Sequence, residues 1–281
     1  MDLPTYPRHT SALRREISSR NLARAADHAH ETTYGALPSV VYSEDERGDH
    51  GNFFPASYRR ILAKPAWAAR LNKTYTASSR IVRGHERERA ELDCANSSDA
   101  LLMNIFCHPG TLKSQRVRCL LGVEQGATPE FGVRTRTPLR GGYDDRTEVD
   151  MRCGDLLVEA KLNESDFQTA REDLLARYEN FADVFDCHRL ARTRGQLRSY
   201  QLLRGVLTAE HSDSRFAVFC DARRPDLCED WFAVLCAVRC SHLRSRMVLV
   251  TWQEIAVCVA RPLQTFLATK YGINAMPLPR G

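Results

Sequence analysis

Residues 147–162 predict a β-hairpin near the middle of the chain. Apolar and polar side chains alternate there with the period of two that is typical of strands. If Gly154-Asp155 forms a two-residue turn, Cys153 pairs with Leu156. The apolar side chains of both halves then point to one face, and the charged side chains point to the other. Such a hairpin is expected to lie in a sheet whose apolar face covers a core.

Four charged residues meet on the second face of this hairpin. Counting from the turn places Asp150 opposite Glu159 and Glu148 opposite Lys161. Two facing carboxylates destabilise a strand pair unless a positive charge lies between them. Mg²⁺ would supply that charge, because it takes oxygen ligands, usually one or two carboxylates with waters and phosphate. The alternative is a solvated face with a Glu148–Lys161 ion pair, and a loop one residue longer would change every facing pair.

Length and composition set broad limits on the fold. The 281 residues suit one large domain or two small ones, and 43% hydrophobic residues is ordinary for a globular protein. No apolar run approaches the 18 residues of a membrane helix, and Met1-Asp2-Leu3-Pro4 does not resemble a signal peptide. We therefore expect a cytoplasmic protein with no membrane contact. The ten cysteines are scattered through core-like segments, so most are expected to be buried thiols.

The positive charge is concentrated in one segment. The net charge is only +5, which neither requires nor excludes a polyanionic partner. No acidic residue lies between Asp186 and Glu210, and this interval suits phosphate binding, although a solvated helix face is the alternative. Its arginines are Arg189, Arg192, Arg194, Arg198 and Arg204.

The chain is predicted to divide into an accessory region, residues 1–75, and a second domain, residues 76–281. The accessory region contains a polar helix at 12–30, a loop at 34–55 and a helical piece at 58–71. The second domain begins with a long helix at 83–108, whose apolar spacing places Glu91 on its inward face. The later elements are a strand at 116–123, the hairpin, helices at 165–180 and 195–207, a strand at 214–220, a helix at 226–243, a strand at 247–251 and a helix at 261–271. This order predicts an α/β fold with a mixed sheet.

Asp150 followed by Glu159-Ala160-Lys161 resembles the signature of the PD-(D/E)XK nuclease superfamily, which has the restriction-endonuclease-like fold. Gln196 and Tyr200 also look like the Gln-X3-Tyr element of its RecB and lambda-exonuclease-like branch, in which both would share a helix face. The overall layout of the chain, including residues 96–104 in the long helix, is also similar to a group of bacterial proteins described as restriction endonucleases. The proline that usually precedes the first acid is replaced by Val149. The resemblance implies an αβββαβ core with a mixed central sheet flanked by helices.

The resemblance also implies the roles of the hairpin residues. Asp150 and Glu159 would bind Mg²⁺, which Mn²⁺ can replace, and the Ala160 carbonyl would be a third ligand. Lys161 would orient the attacking water and offset the charge that develops on the phosphate. Glu91 is our candidate for an additional ligand, with an ordinary glutamate as the alternative.

Residues after the hairpin would bind the substrate. Gln196 and Tyr200 would hold phosphate or the lysine. Three arginines would contact the DNA backbone without reading its sequence. They are Arg192, Arg194 and Arg198.

The resemblance implies a metal-dependent deoxyribonuclease, of the restriction type, acting in defence against foreign DNA. A repair or recombination nuclease, or a junction resolvase, on the same fold is the alternative, as is a non-catalytic nucleic-acid-binding protein. A homodimer would suit cleavage of both strands. Cys236 and Cys240 lack the spacing expected of an iron–sulfur site, so core thiols are predicted there and no cluster. The sequence contains no phosphate-binding loop of an ATPase and no serine-hydrolase elbow.

Overall fold

The computed structural model describes residues 7–33, 38–74 and 90–275. The helices in these ranges are α1 Pro7–Ala25, α2 Pro55–Leu62, α3 Pro65–Leu71, α4 Ser98–Phe106, α5 Gln115–Leu121, α6 Glu172–Leu175, α7 Phe181–Val184, α8 Tyr200–His211, α9 Pro225–Ala237, α10 Ser241–Ser245, α11 Trp252–Cys258 and α12 Arg261–Tyr271. The strands are β1 His30–Thr32, β2 Val40–Tyr42, β3 Pro129–Arg134, β4 Thr137–Leu139, β5 Tyr143–Asp145, β6 Glu148–Cys153, β7 Leu156–Ala160, β8 Thr169–Ala170, β9 Arg192–Thr193, β10 Gln196–Arg198, β11 Arg215–Cys220 and β12 Met247–Thr251. None of these helices is both long enough and apolar enough to span a bilayer.

The chain divides into two compact units. Unit 1 comprises Met1–Thr10 and Ala127–Thr251, and unit 2 comprises Ser11–Gly126 and Trp252–Gly281. The boundary predicted after residue 75 lies within unit 2, next to residues 75–89, which are outside the described ranges. The division into an accessory region and a nuclease domain stays a prediction.

Unit 1 contains a five-stranded sheet with the order β12-β11-β7-β6-β3. Strands β12, β11 and β7 are parallel, whereas β6 and β3 run antiparallel to their neighbours. All residues of β7 are buried, as expected for a central strand that is covered on both faces. Along β6, buried residues alternate with more exposed ones, as the sequence predicts. This mixed sheet, flanked by helices, confirms the predicted α/β restriction-endonuclease-like fold class.

The strands of the sheet follow the predicted order, but not always at the predicted residues. Strands β3, β6 and β7, helix α8 and strand β11 succeed one another as βββαβ, with β4–β5 and β8–β10 inserted. Strands β11 and β12 and helix α12 lie where the sequence places them. Residues 116–123 were wrongly predicted as the first strand, because they form α5, which Ser114 caps and Gly122 ends in the left-handed region at φ 63°. The sheet instead begins with β3 at Pro129.

Several predicted helices are shorter or interrupted. Residues 165–180 contain β8 and the one-turn helix α6 rather than one helix, and residues 226–243 are divided between α9 and α10. In unit 2, helix α1 ends at Ala25 and His30 begins β1, so the predicted end at residue 30 is wrong. The segment at 58–71 is two helices, because Pro65 starts a new helix after Lys64 adopts an extended conformation.

The cysteines are less buried than predicted. All ten are free thiols within the described ranges, and only four of them are buried. Cys236 and Cys240 are exposed, so the prediction of core thiols at these positions is wrong. Helix α9 faces the core with Trp231 and Val234, and the residues on its other side face solvent.

Helix α8 packs against β7 and β11 and contributes Leu202, Leu203 and Val206 to the core of unit 1. It approaches β11 closely at Gly205, where an added Cβ would lie 2.3 Å from Phe216 Cζ. Gly205 and Phe216 are both buried, so neither can move aside into solvent. Any larger residue at position 205 would therefore push the helix and the sheet apart.

We expect Gly205→Ala to lower the free energy of unfolding by about 1–3 kcal/mol, the usual effect of overpacking a core. This cost should exceed the gain of about 1 kcal/mol that alanine brings to a helix. Urea denaturation of both proteins measures the difference. The double variant Gly205→Ala/Phe216→Leu should recover part of the loss, and a Gly205→Ala protein as stable as the wild type would contradict the close contact.

Candidate active site

The hairpin of β6 and β7 has the predicted register. Cys153 pairs with Leu156, and Met151 pairs with Val158. The intervening turn has two residues, and its first, Gly154, has a φ of 62°. Glycine adopts this conformation without steric cost, which fits a Gly-X hairpin turn. The predicted turn and its flanking pairs are therefore confirmed, whereas the facing pairs Asp150–Glu159 and Glu148–Lys161 lie beyond the last backbone pair and stay predictions.

Asp150 extends the hairpin with its side chain. The backbone pairing of β6 with β7 ends at Met151–Val158, and beyond it the Asp150 Oδ2 atom accepts a hydrogen bond of 2.7 Å from the Ala160 amide. Asp150 is only partly buried, whereas Ala160 is 1% exposed. The carboxylate is thus held against the peptide that joins Glu159 to Ala160. The first acid of the motif and the Glu-X-Lys segment are therefore together in the fold.

Glu159 and Lys161 form a buried ion pair. Lys161 Nζ lies 2.7 Å from Glu159 Oε1, and Lys161 is 6% exposed and Glu159 4% exposed. Burial alone would lower the pKa of Lys161. The carboxylates around it, Glu159 first and then Glu164 and Asp150, outweigh burial and raise that pKa above its ordinary value. Lys161 is consequently a charged ammonium at neutral pH.

Glu164 is an acidic residue of this site that the sequence reasoning missed. Its carboxylate accepts a 2.6 Å hydrogen bond from the Leu162 amide, and its charge raises the pKa of Lys161. The loop that carries it is fixed by Arg224, whose guanidinium is fully buried and donates to the carbonyls of Glu164 and Ser165 at 2.7 and 3.0 Å. A signal was present in the sequence, because Glu164 follows the Glu-X-Lys segment by three residues.

Gln196 and Tyr200 do not share a helix face, so that prediction is wrong. Gln196 is an exposed residue of β10, where its Oε1 atom accepts a 2.7 Å hydrogen bond from Thr169. Tyr200 is the first residue of α8, and Ser199 before it has a φ of 60°, which no helix continues through. Whether Gln196 or Tyr200 holds phosphate stays a prediction.

A family model described as restriction endonuclease associating with ARP matches residues 19–272, most of the chain. The chain belongs to this family. No curated protein and no solved structure matches it. Membership in a restriction endonuclease family suggests a nuclease, and the family match extends over the hairpin and its acidic residues.

Glu91 lies in a short three-ten helix and not in the long helix that the sequence predicts. Of the predicted helix at 83–108, residues 83–89 lie outside the described ranges, and Glu91–Asp93 forms a separate three-ten helix before α4 begins at Ser98. Glu91 pairs with Lys73 at 3.1 Å within unit 2. Burial, followed by the charge of Asp99, raises the pKa of Glu91, and Lys73 opposes this. The role of Glu91 as an additional metal ligand stays a prediction.

The three predicted backbone-contacting arginines lie on a hairpin of β9 and β10 rather than on a helix. Arg192 pairs with Glu172 at 3.0 Å, and Arg198 pairs with Asp230 at 2.6 Å. Arg194 is exposed at the turn with a φ of 49°, and no described residue forms an ion pair with it. Among the three, Arg194 has the guanidinium that is not already engaged by a carboxylate. DNA contact by any of them stays a prediction.

Proposed function

We propose that this family member is a metal-dependent deoxyribonuclease of the PD-(D/E)XK type, which cleaves DNA as a restriction endonuclease in defence against foreign DNA. The observation that carries the proposal is the Asp150 carboxylate bonded to the Ala160 amide, next to the buried Glu159–Lys161 pair. A scaffold has no physical need to place two carboxylates on adjacent strands. This arrangement favours catalysis over the non-catalytic nucleic-acid-binding alternative.

The carboxylates of this site suit Mg²⁺, with Mn²⁺ as a substitute. Asp150, Glu159 and the Ala160 carbonyl supply hard oxygen donors. Within the described part of the chain, no three His, Cys, Asp or Glu side chains are grouped closely enough to hold a metal by themselves. Mg²⁺ does not require such a group, because it usually keeps several waters and binds one or two carboxylates together with substrate phosphate. The donor set therefore fits an open magnesium site that the DNA completes.

Lys161 is a donor rather than a base in this proposal. Bound Mg²⁺ would activate a water and neutralise charge on the phosphate oxygens. Lys161 remains protonated, because the surrounding carboxylates raise its pKa. Its ammonium can orient the attacking water and stabilise the negative charge that develops on the phosphate. In the structure this ammonium is bonded to Glu159, so Glu159 would exchange part of that contact when it binds the cation.

We expect the purified protein to cleave DNA with Mg²⁺ or Mn²⁺ and to lose this activity in EDTA, because EDTA removes the cation that would activate the water and neutralise charge on the phosphate. The assay compares supercoiled, linear, methylated and single-stranded DNA with each metal. Cleavage of supercoiled circles indicates an endonuclease, and preference for branched DNA would favour the resolvase or repair alternative. Binding without cleavage under every metal would contradict the proposal and leave the non-catalytic alternative.

We propose two assemblies for this protein. The family description adds association with ARP, which we propose for this chain on family membership alone, and copurification with that partner tests it. We also propose a homodimer, since one site cuts one strand at a time. Sedimentation with and without DNA measures the oligomeric state.

A further inference from the structure

Arg204 is a buried arginine whose charge has no carboxylate partner. It lies on α8 and is 7% exposed. Its Nη2 atom donates a hydrogen bond of 3.2 Å to the Glu148 carbonyl, and its guanidinium lies 5.9 Å from the centre of the Tyr200 ring. Neither contact is with an anion, and across residues 7–33, 38–74 and 90–275 no carboxylate pairs with Arg204.

Two other arginines of unit 1 with little exposure are paired with carboxylates. Arg224 contacts Asp226 at 2.7 Å, and Arg246 contacts Glu210 at 3.0 Å. Burying a charge without a partner is costly, because the protein interior cannot replace its hydration. Arginine has five N–H donors in a planar fork that matches phosphate oxygens. A buried guanidinium with unused binding capacity is therefore a candidate anion site.

Helix α8 brings Arg204 to the candidate active site. The Gln201 amide, in the first turn of α8, donates a 3.0 Å hydrogen bond to the Phe167 carbonyl, and the Phe167 ring centre lies 5.8 Å from Lys161 Nζ. One turn later, Arg204 reaches Glu148, two residues before Asp150 on β6. The helix is thus attached near both Lys161 and Asp150.

The same face of the sheet carries these groups. Leu157 and Glu159 pair with Phe216 and Val218 of β11, so alternation along β7 places Glu159 and Lys161 on the side of Leu157. Asp150 reaches this end of β7 through its bond to the Ala160 amide. Leu157 belongs to the core cluster that α8 completes with Leu202 and Leu203. Helix α8 therefore covers the face on which Glu159 and Lys161 lie.

We propose that Arg204 binds a phosphate of the DNA strand held at Asp150 and Glu159, and so supplies positive charge to the substrate from the helix side. This inference rests on the proposed nuclease function and adds to it a phosphate-binding residue outside the Asp-Glu-X-Lys motif. The bound phosphate would provide the anion that Arg204 lacks among the residues that the structure describes. Arg204 is thereby distinguished from Arg192 and Arg198, whose guanidinium groups are paired with carboxylates.

The test is single-turnover cleavage of a short duplex in Mg²⁺, with the enzyme concentration for half-maximal rate, K1/2, measured over a series of salt concentrations. Arg204→Gln keeps an N–H donor for the Glu148 carbonyl but removes the charge. We expect it to raise K1/2 and to reduce the slope of log K1/2 against log salt by about 0.9, the value for one lost phosphate contact in duplex DNA. The saturated rate should fall by a factor on the order of 10²–10³ if the phosphate is the one cleaved.

Two further variants separate charge from structure. Arg204→Lys keeps the charge, so it should keep the wild-type slope even if its rate falls. Arg215→Gln is the matched control, because Arg215 pairs with Asp155 at the turn end of the hairpin and should keep both slope and rate. Thermal unfolding reports whether each variant is folded.

The outcomes distinguish the inference from the proposed function. If Arg204→Gln keeps the wild-type slope of log K1/2 against log salt, the inference is overturned while the nuclease function stands. If Arg204→Gln does not fold, a reduced slope in Arg204→Lys overturns the inference in the same way. A wild-type protein that neither cleaves nor binds DNA overturns both.

Discussion

Replacing Asp150 by Asn should abolish metal-dependent cleavage and leave the protein folded. The asparagine oxygen can still accept the hydrogen bond from the Ala160 amide, so the end of the hairpin keeps its contact. The negative charge that would bind the cation is lost, however. We expect the single-turnover rate to fall by a factor on the order of 10²–10³ or more, as when an electrostatic contribution to a transition state is removed. Thermal unfolding measures whether the fold is retained.

Asp155→Asn is the matched control for this experiment. Asp155 lies on the same hairpin, at the turn, where it is paired with Arg215 at 2.7 Å and its side chain is 58% exposed. Loss of such a surface pair costs about 0–1 kcal/mol of stability, and cleavage should be retained. Cleavage by Asp150→Asn at the wild-type rate would show that the hairpin acids do not bind the catalytic metal.

Replacing Lys161 by Met should destabilise the fold as well as abolish cleavage. The substitution leaves the Glu159 carboxylate, which is 4% exposed, without the ammonium that lies 2.7 Å away. Removing one partner of a buried ion pair costs about 3–5 kcal/mol, because the remaining charge is buried without compensation. Urea denaturation at pH 7 measures the loss. A Lys161 variant can therefore lose activity because it unfolds, so its stability has to be measured together with its cleavage rate.

The double variant Glu159→Gln/Lys161→Met separates charge from packing. It removes both charges, so we expect it to recover most of the stability that Lys161→Met loses, while remaining inactive. Lys113→Met, at an exposed position, should change neither stability nor cleavage by much. A Lys161→Met protein as stable as the wild type would contradict the buried pair.

The stability from Lys161 has a defined pH dependence. Its pKa is raised in the folded protein above the ordinary value of 10.5. The folded state therefore binds the proton more tightly than the unfolded chain does, and the associated stability is fully present below pH 10.5. It declines only as the pH rises through the folded-state pKa. Across neutral pH we expect a constant contribution from this group.

The hairpin could be predicted from sequence because its determinants are local. The alternation of residues 148–160 and the Gly154-Asp155 turn fix the register without reference to distant parts of the chain. Helix α12 could also be predicted from the sequence, since Pro262 lies in its first turn and Gly272 follows its last residue. These are the positions at which local residue preference and tertiary structure agree.

Errors arose where a short apolar segment has two interpretations. Residues 116–123 contain enough apolar residues for a strand, yet Ser114 and Gly122 mark the ends of a helix. The four-residue spacing of Gln196 and Tyr200 suits a helix. Instead, the turn at Arg194-Gly195 joins β9 to β10, and Gln196 lies in β10. The pairing of β10 with β8, more than 20 residues earlier, could not be seen from spacing alone.

The sequence could not single out Glu164 and Arg204 for a different reason. Glu164 and Arg204 gain their significance from burial and from the charges around them, which depend on how α8 and the loop after β7 pack. Arg204 belongs to the same acid-free interval as Arg189 and Arg194 and has no distinguishing neighbour in the sequence. Only the fold shows which of these arginines is buried without a carboxylate partner.

The close approach of Gly205 to Phe216 has a consequence for how this family can diverge. Helix α8 is in van der Waals contact with the sheet at Gly205, and a methyl group there would occupy the volume of the Phe216 ring. A single substitution at position 205 therefore cannot be accommodated without a change in the distance between helix and sheet. Relatives with a larger residue at position 205 are expected to carry a smaller one at position 216, so the two positions should covary.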